Sequence, residues 1–397
     1  MLTNLEIESL VARIEPDLIA LRRRIHEHPE LAFEEHETAH AVSDYLSALA
    51  IPHRTGVGKT GVVAMIEGGA AGPTVGVRAD MDALPIEEAS GVPFASRVPG
   101  RMHACGHDVH TTIALGVAHL LAGARAALPG RVKLIFQPAE ETLAGAAAMI
   151  ADGVLDDPAM DAIVGFHNSP RLETGLLAYT EGIGHASAAA FDIVLKGRTG
   201  HAAHPHVGID AIVGAAQLVT QLQTIVSREI APTVPAVVTI GQIAGGTARN
   251  VIADRVIIKG TARTRDALVE KHVEEAIRRV VAGVAAGARL EYEIDWVRQT
   301  PVTKYDSRVV ARMVEAAREV VGADKVINLS EPTMGSEDFA WFAERVPAAH
   351  LRIGSRIEGV DTAIHRADYQ CNERAIGIGV RAVTRVVLRL LENRLPL

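Results

Sequence analysis

Five side chains able to bind a divalent metal ion fall within eight residues of this 397-residue chain. They are His103, Cys105, His107, Asp108 and His110, in the run Arg101-Met102-His103-Ala104-Cys105-Gly106-His107-Asp108-Val109-His110. Thiolate, imidazole and carboxylate are the donors that zinc and related first-row ions take. Cys105 and His107 are two apart, so an extended segment turns both to one face. Gly106 between them lets the backbone come close to an ion. A helical stretch follows at once, and packing alone does not concentrate such residues, so the cluster reads as a metal site.

Other donors stand at strand ends. Gln137-Pro138-Ala139-Glu140-Glu141 follows the apolar run Val132–Phe136. Of two adjacent acids, one can ligate a metal while the other holds a water as general base. His167 closes the run Asp161–Phe166, with Asn168 and Pro170 after it, and Asp80 and Asp82 follow Val77-Arg78-Ala79. Sites in α/β sheets form at the carboxyl ends of strands, and these ends converge on one sheet edge. His365 comes late, in Thr362-Ala363-Ile364-His365, 198 residues beyond His167 (365 minus 167). An inserted domain would create such a gap.

The elements needed to position these residues can be read from the chain. Residues 5–50 read helical with a break at Pro29. Strands are expected at Gly61–Glu67, Thr74–Ala79, Arg131–Gln137 and Asp161–His167, with a helix over Thr111–Ala127. This alternation predicts an α/β domain with a mostly parallel central sheet flanked by helices. From Phe191 the order changes to strand (Phe191–Lys196), helix (Asp210–Ser227), strand (Ala236–Ile243), strand (Val256–Thr264), helix (Leu268–Ala286) and strand (Arg289–Val297). That β-α-β-β-α-β order predicts an inserted ferredoxin-like α+β domain. Helices are expected again near Val309–Val321, Glu337–Glu344 and Ala375–Asn393. The expected division is therefore 1–184 with 301–397, interrupted by 185–300.

Composition narrows the class. The chain is 48% apolar and 22% charged, a globular balance. Forty Lys+Arg against 48 Asp+Glu give a net charge of −8, with only 2 Trp, 5 Tyr and 7 Phe. Nucleic-acid binding needs basic patches and stacking surfaces that this chain lacks. No apolar run reaches the ~18 residues of a membrane helix. Glu6, Glu8 and Glu15 stand where a signal peptide would be basic and then apolar. A cytoplasmic protein is expected, with no membrane and no nucleic-acid partner. Two cysteines make no disulfide framework, and Cys371 reads as a buried thiol.

The motifs together resemble the metal-dependent aminoacylase and carboxypeptidase family, in the branch of hippurate hydrolase and the indole-acetyl-amino-acid hydrolases. They are RADMDALP (78–85), MHACGHDVH (102–110), QPAEE (137–141), HNSP (167–170), GHAAHP (200–205), GGTARNVI (245–252), MGSEDF (334–339) and His365. They run in family order over nearly the whole chain. The resemblance implies two divalent ions per subunit (manganese or zinc, with cobalt or nickel as further options), bound by Cys105, His107, Glu141, His167 and His365. Such ions, about 3.5–4 Å apart, share a water and lower its pKa. It implies Glu140 as the base that takes that water's proton, His201 as donor to the oxyanion, and Asn250 and Arg263 as binders of the substrate carboxylate. Asp80 and Asp82 would orient ligands from behind.

The activity so implied is hydrolysis of an N-acyl or N-aroyl amino acid to a carboxylic acid and a free amino acid. A small dipeptidase or a carbamoyl-amino-acid hydrolase would use the same site. The inserted domain would act as a lid, with glycines at 182, 184 and 200 permitting a hinge, and would pair subunits in a homodimer or higher oligomer. Three departures bear on substrate choice: His204 replaces a common Met, Arg366-Ala367-Asp368-Tyr369 replaces a Pro-containing run, and Cys371 replaces an aromatic. Two other classes remain: a cysteine hydrolase with Cys105 as nucleophile and His107 or His110 as base, and a metal-bound protein that binds without catalysing.

Overall fold

The structure is a computed structural model that describes residues 2–329 and 333–392. The chain forms two compact units. One comprises 2–182, 304–329 and 341–392, and the other 183–303 with 333–340.

The first unit is built on an eight-stranded sheet. Across the sheet the strands are His53–Val57, Gly61–Glu67, Pro129–Gln137, Ala70–Asp80, Ala162–Glu173, Ala348–Arg356, Leu177–Tyr179 and Val326–Asn328. The three joints at its centre are parallel, between 129–137 and 70–80, 70–80 and 162–173, and 162–173 and 348–356. Central parallel strands are buried on both faces and read as continuous apolar runs. Val75, Val77 and Ala79 in one strand, and Leu134, Ile135 and Phe136 in its neighbour, are all nearly inaccessible.

Three helices, Asn4–Glu27, His107–Gly123 and Arg374–Glu392, pack on one another beside this sheet. Every residue of the middle helix from His107 to Ala118 is buried. A helix buried all round is a core helix. Its first turn is therefore held rigidly, and that turn carries His107 and His110.

The second unit has the expected strand-helix-strand-strand-helix-strand order. Its antiparallel sheet runs Ala236–Gly245, Arg255–Thr264, Ala188–Lys196, Glu291–Thr300, which is the ferredoxin-like arrangement. Along Ala188–Lys196, buried Ala189, Phe191, Ile193 and Leu195 alternate with half-buried residues, the period of a sheet with one covered face. Helices Ala211–Thr224 and Ala267–Ala288 are started by Asp210 and Asp266, whose side chains accept from the first-turn N–H groups.

Four expectations shift. The helix expected from Thr111 begins at His107, because Gly106 turns the chain directly into it. The strand expected to stop at His167 runs from Ala162 to Glu173, since 348–356 supplies a parallel partner along that length. The neighbour on its other side pairs only to Gly165, so no ladder bond is lost at Pro170 on that side. Ala348–Arg356 itself is an unexpected strand, buried on both faces and without alternation to reveal it. Near 337–344 only Ala340–Ala343 is helical. Among the described residues, no helix is long and apolar enough to cross a membrane. The expected Asn393 end of the last helix lies outside the described residues.

Candidate metal centre

Gly106 makes the centre possible. Its φ of 87° is left-handed, and a Cβ there would lie 2.3 Å from Asn168 Oδ1 and 2.5 Å from the Tyr369 hydroxyl. Only glycine fits. The chain turns at this residue, leaving Cys105 just before the helix and making His107 its first residue.

Four of the remaining site residues reach this turn from three separate elements. His167, on the 162–173 strand, brings Nε2 to 3.3 Å from Cys105 Sγ. Glu140 and Glu141 follow the 129–137 strand: Glu141 Oε1 lies 3.7 Å, and Glu140 Oε2 4.0 Å, from His107 Nε2. His365 is itself left-handed (φ 64°) and its N–H bonds to Ala104 O at 2.8 Å. That places its Nε2 3.3 Å from Glu141 Oε1. The donor atoms of Cys105, His107 and His167, of Cys105, Glu141 and His365, and of His107, Glu140 and Glu141 form three groups, each within 4.8 Å.

The donors fit divalent ions. His107 Nε2 and Glu141 Oε1 are buried and have no hydrogen-bond partner, an arrangement that is costly in a folded protein. Donors on one tetrahedral ion, with bonds of about 2.0–2.3 Å, stand roughly 3.3–3.7 Å apart. The 3.7 Å between these two atoms is too long for a hydrogen bond and suits a shared ion. One thiolate, three imidazoles and a carboxylate also match the donor preferences of zinc and its neighbours.

Behind the donors, Asp82 holds three of them. Its Oδ1 accepts from the Glu140 N–H at 3.0 Å, its Oδ2 from the Glu141 N–H at 2.9 Å. Its Oδ1 also faces His107 Nδ1 at 3.2 Å, which leaves Nε2 as the outward donor. Asp80 lies between Arg78 (2.6 Å) and His110 Nδ1 (2.6 Å), and Arg78 also donates to Gln137 at 2.8 Å. His110 Nε2 accepts from the Asn168 N–H at 2.9 Å, and Asn168 Nδ2 donates to the Tyr369 hydroxyl at 2.6 Å. His110, Asn168 and Tyr369 thus join the wall of the site, a role that spacing alone did not reveal for any of them.

Burial raises the Asp80 carboxyl, but His107, Arg78 and His110 outweigh it and hold the group well below the usual range. Burial likewise lowers His107, and Asp80 with Cys105 overcomes it, holding the imidazole well above its ordinary value. The Cys105 thiol is pushed well up by burial and by Glu141, whereas burial and His110 push His167 well down. A thiol so buried is no activated nucleophile, which weighs against Cys105 attacking a substrate.

In the second unit, His201 and Asn250 are brought together. Val251 pairs with His201 in a short ladder, and the Ala202 N–H bonds to Asn250 O at 3.0 Å. Both side chains are exposed. The His204 ring lies tilted beside that of His201, with ring centroids 5.6 Å apart. Arg263 donates to Ser336 Oγ at 2.9 Å and to Met334 O at 3.3 Å. In the first unit, Cys371 is buried with Sγ 3.7 Å from Arg22, and Arg366 pairs with Asp368 at the surface.

Two outcomes follow for metal binding. Asp82→Ala removes the acceptor behind His107 and both glutamates, and metal affinity in competitive chelator titration should fall about 10- to 100-fold. An unchanged affinity would deny Asp82 that role. Because metal ligation needs the Cys105 thiolate and a free His107 lone pair, while burial holds the thiol up and Asp80 with Cys105 holds the imidazole up, metal uptake should release protons and tighten as pH rises. Calorimetry in buffers of different ionisation enthalpy measures this directly.

The chain is similar to known proteins over most of its length. Residues 76–389 match the model of peptidase family M20/M25/M40. N-acetyl-L-cysteine deacetylase of Bacillus subtilis is 40% identical over 366 residues, 92% of this chain and 86% of that protein. IAA-amino acid hydrolase ILR1-like 2 of Arabidopsis thaliana is 37% identical over 380 residues, 95% of this chain and 86% of that protein. The solved structure of the Bacillus subtilis YXEP protein, described as a dinuclear metal binding peptidase of the M20 family, superposes with a TM-score of 0.83. It is 37% identical, covering 96% of this chain and 99% of that one. With a donor cluster suited to divalent ions and a family match over most of its length, the chain belongs to peptidase family M20/M25/M40.

Proposed function

We propose that the protein cleaves the amide bond of N-acyl or N-aroyl amino acids, releasing a carboxylic acid and a free amino acid. The observation that carries this reading is the pairing of Glu140 and Glu141 on one Asp82 carboxylate through consecutive backbone N–H groups. That shared anchor fixes two adjacent carboxylates beside His107, one to ligate and one to move a proton. Cys105, His107, Glu141, His167 and His365 are the residues to hold the ions, manganese or zinc first, cobalt or nickel next. When bound, the pair supplies Lewis acidity that polarises the amide carbonyl and acidifies water.

Glu140 accepts a proton from the attacking water at a carboxylate oxygen and returns it to the leaving amine nitrogen. His201 donates to the oxyanion that forms on the carbonyl. Asn250 and Arg263 receive the substrate carboxylate, for which a guanidinium offers a two-point fit. Two relatives with names of this kind, a deacetylase of an N-acetyl amino acid and a hydrolase of an amino-acid conjugate, support the substrate class. The protein so read works in the cytoplasm as a homodimer or higher oligomer, paired through its second unit.

A panel of benzoyl-, acetyl- and indole-acetyl-amino acids, N-carbamoyl amino acids and dipeptides tests the reading. Turnover should vanish on chelation and return with manganese or zinc. Glu140→Gln should keep both ions and lose about 10²- to 10⁴-fold in kcat. Near-normal turnover by that variant would remove Glu140 as the base, and preference for dipeptides or carbamoyl compounds would move the protein to that class.

A further inference from the structure

Glu35 lies far from the donor cluster in sequence, yet its side chain is fully buried. It occupies the N-cap position of the helix His36–Ala48 but makes no capping bond to it, although that is the usual use of an acceptor there. Its acceptors are turned elsewhere. Oε1 accepts from the Phe33 N–H at 3.0 Å and from the Ala139 N–H at 2.9 Å, and Oε2 accepts from the Thr60 hydroxyl.

Ala139 immediately precedes Glu140 and has a left-handed φ of 54°. For a residue with a Cβ that conformation is unfavourable and must be held by its surroundings. The hold is visible in both peptide groups that flank its Cα. The Ala139 carbonyl accepts from the Gly145 N–H at 3.1 Å and the Thr142 hydroxyl at 3.2 Å, while its N–H goes to Glu35. At Gly145 any Cβ would meet the Pro138 carbonyl oxygen at 1.5 Å, so the loop closes this tightly only with glycine. Three consecutive N–H groups, of residues 139, 140 and 141, are therefore accepted by two buried carboxylates, Glu35 and Asp82.

We infer that Glu35 is a positioning residue for the reaction: by fixing the Ala139 peptide it sets the direction in which Glu140 leaves the loop. The inference rests on the reading of Glu140 as the base. Asp82 holds Glu140 and Glu141 at their own nitrogens; Glu35 fixes the peptide before them, from the start of a different element. A displacement of about 1 Å in a catalytic group can cost 10²-fold in rate.

The test compares Glu35→Ala, Glu35→Asp and Glu35→Gln in the full chain. Gln keeps an oxygen for Phe33 and Ala139 and an amide to donate to Thr60, so it should turn over within about threefold of the unaltered protein. Asp is a favourable helix N-cap, so this variant should fold, but it is one methylene too short for Ala139. Asp and Ala should both lose about 10- to 100-fold in kcat, with KM within about twofold and both ions retained. Hydrogen exchange over residues 138–145 should accelerate in these two and stay slow over residues 107–123. Wild-type kcat in Glu35→Asp, or Gln failing as badly as Ala, or loss of ions in place of a selective loss of kcat, would overturn the inference. If the unaltered protein cleaves nothing in the panel, the proposed function fails. The exchange comparison then still decides whether Glu35 holds the loop.

Discussion

The Asp82 carboxylate is the constraint on which the centre depends. It is buried, and its two oxygens meet the Glu140 N–H, the Glu141 N–H and His107 Nδ1. These three groups come from two elements, the loop after the 129–137 strand and the first turn of the 107–123 helix. A single anion therefore ties the acidic pair to the imidazole that faces it. Removing the anion would leave two buried N–H groups without acceptors, at roughly 1–3 kcal/mol each, and would free the His107 ring to rotate. The helix cannot adjust to compensate, since it is buried from His107 to Ala118.

Charge is arranged around this anchor in alternating layers. Arg78 neutralises Asp80, Asp80 faces His110 and His107, and the donors Cys105, Glu141 and His167 lie beyond. Buried ions are tolerated where each has a partner and its remaining lone pairs are used. Asp80 meets that condition through Arg78 and His110. His107 Nε2 and Glu141 Oε1 make no hydrogen bond among the described residues, although His365 Nε2 stands 3.3 Å from the latter, and at 3.7 Å from one another they are well placed to share an ion.

The motifs were readable because their chemistry is local. Cys105, Gly106 and His107 are consecutive, Glu140 and Glu141 are adjacent, and the period-two burial of Ala188–Lys196 follows directly from Ala189, Phe191, Ile193 and Leu195. The supporting contacts were not readable, because they join residues distant in the chain. Asn168 bonds to Tyr369 across 201 residues, and Glu35 to Ala139 across 104. No spacing rule connects such pairs. The strand Ala348–Arg356 escaped for a related reason: with both faces covered it has no polar phase to mark it. For His365 the sequence offers only its late position and the family resemblance, whereas its left-handed backbone and its bond to Ala104 explain how a late loop reaches the first cluster.

The most direct test of this account is anomalous diffraction from crystals of the protein loaded with manganese or zinc. Two peaks should appear, ligated between them by Cys105, His107, Glu141, His167 and His365, with Glu140 beside them and bound to neither. A single peak, or ions seated on Asp80 and His110 in place of these donors, would contradict it.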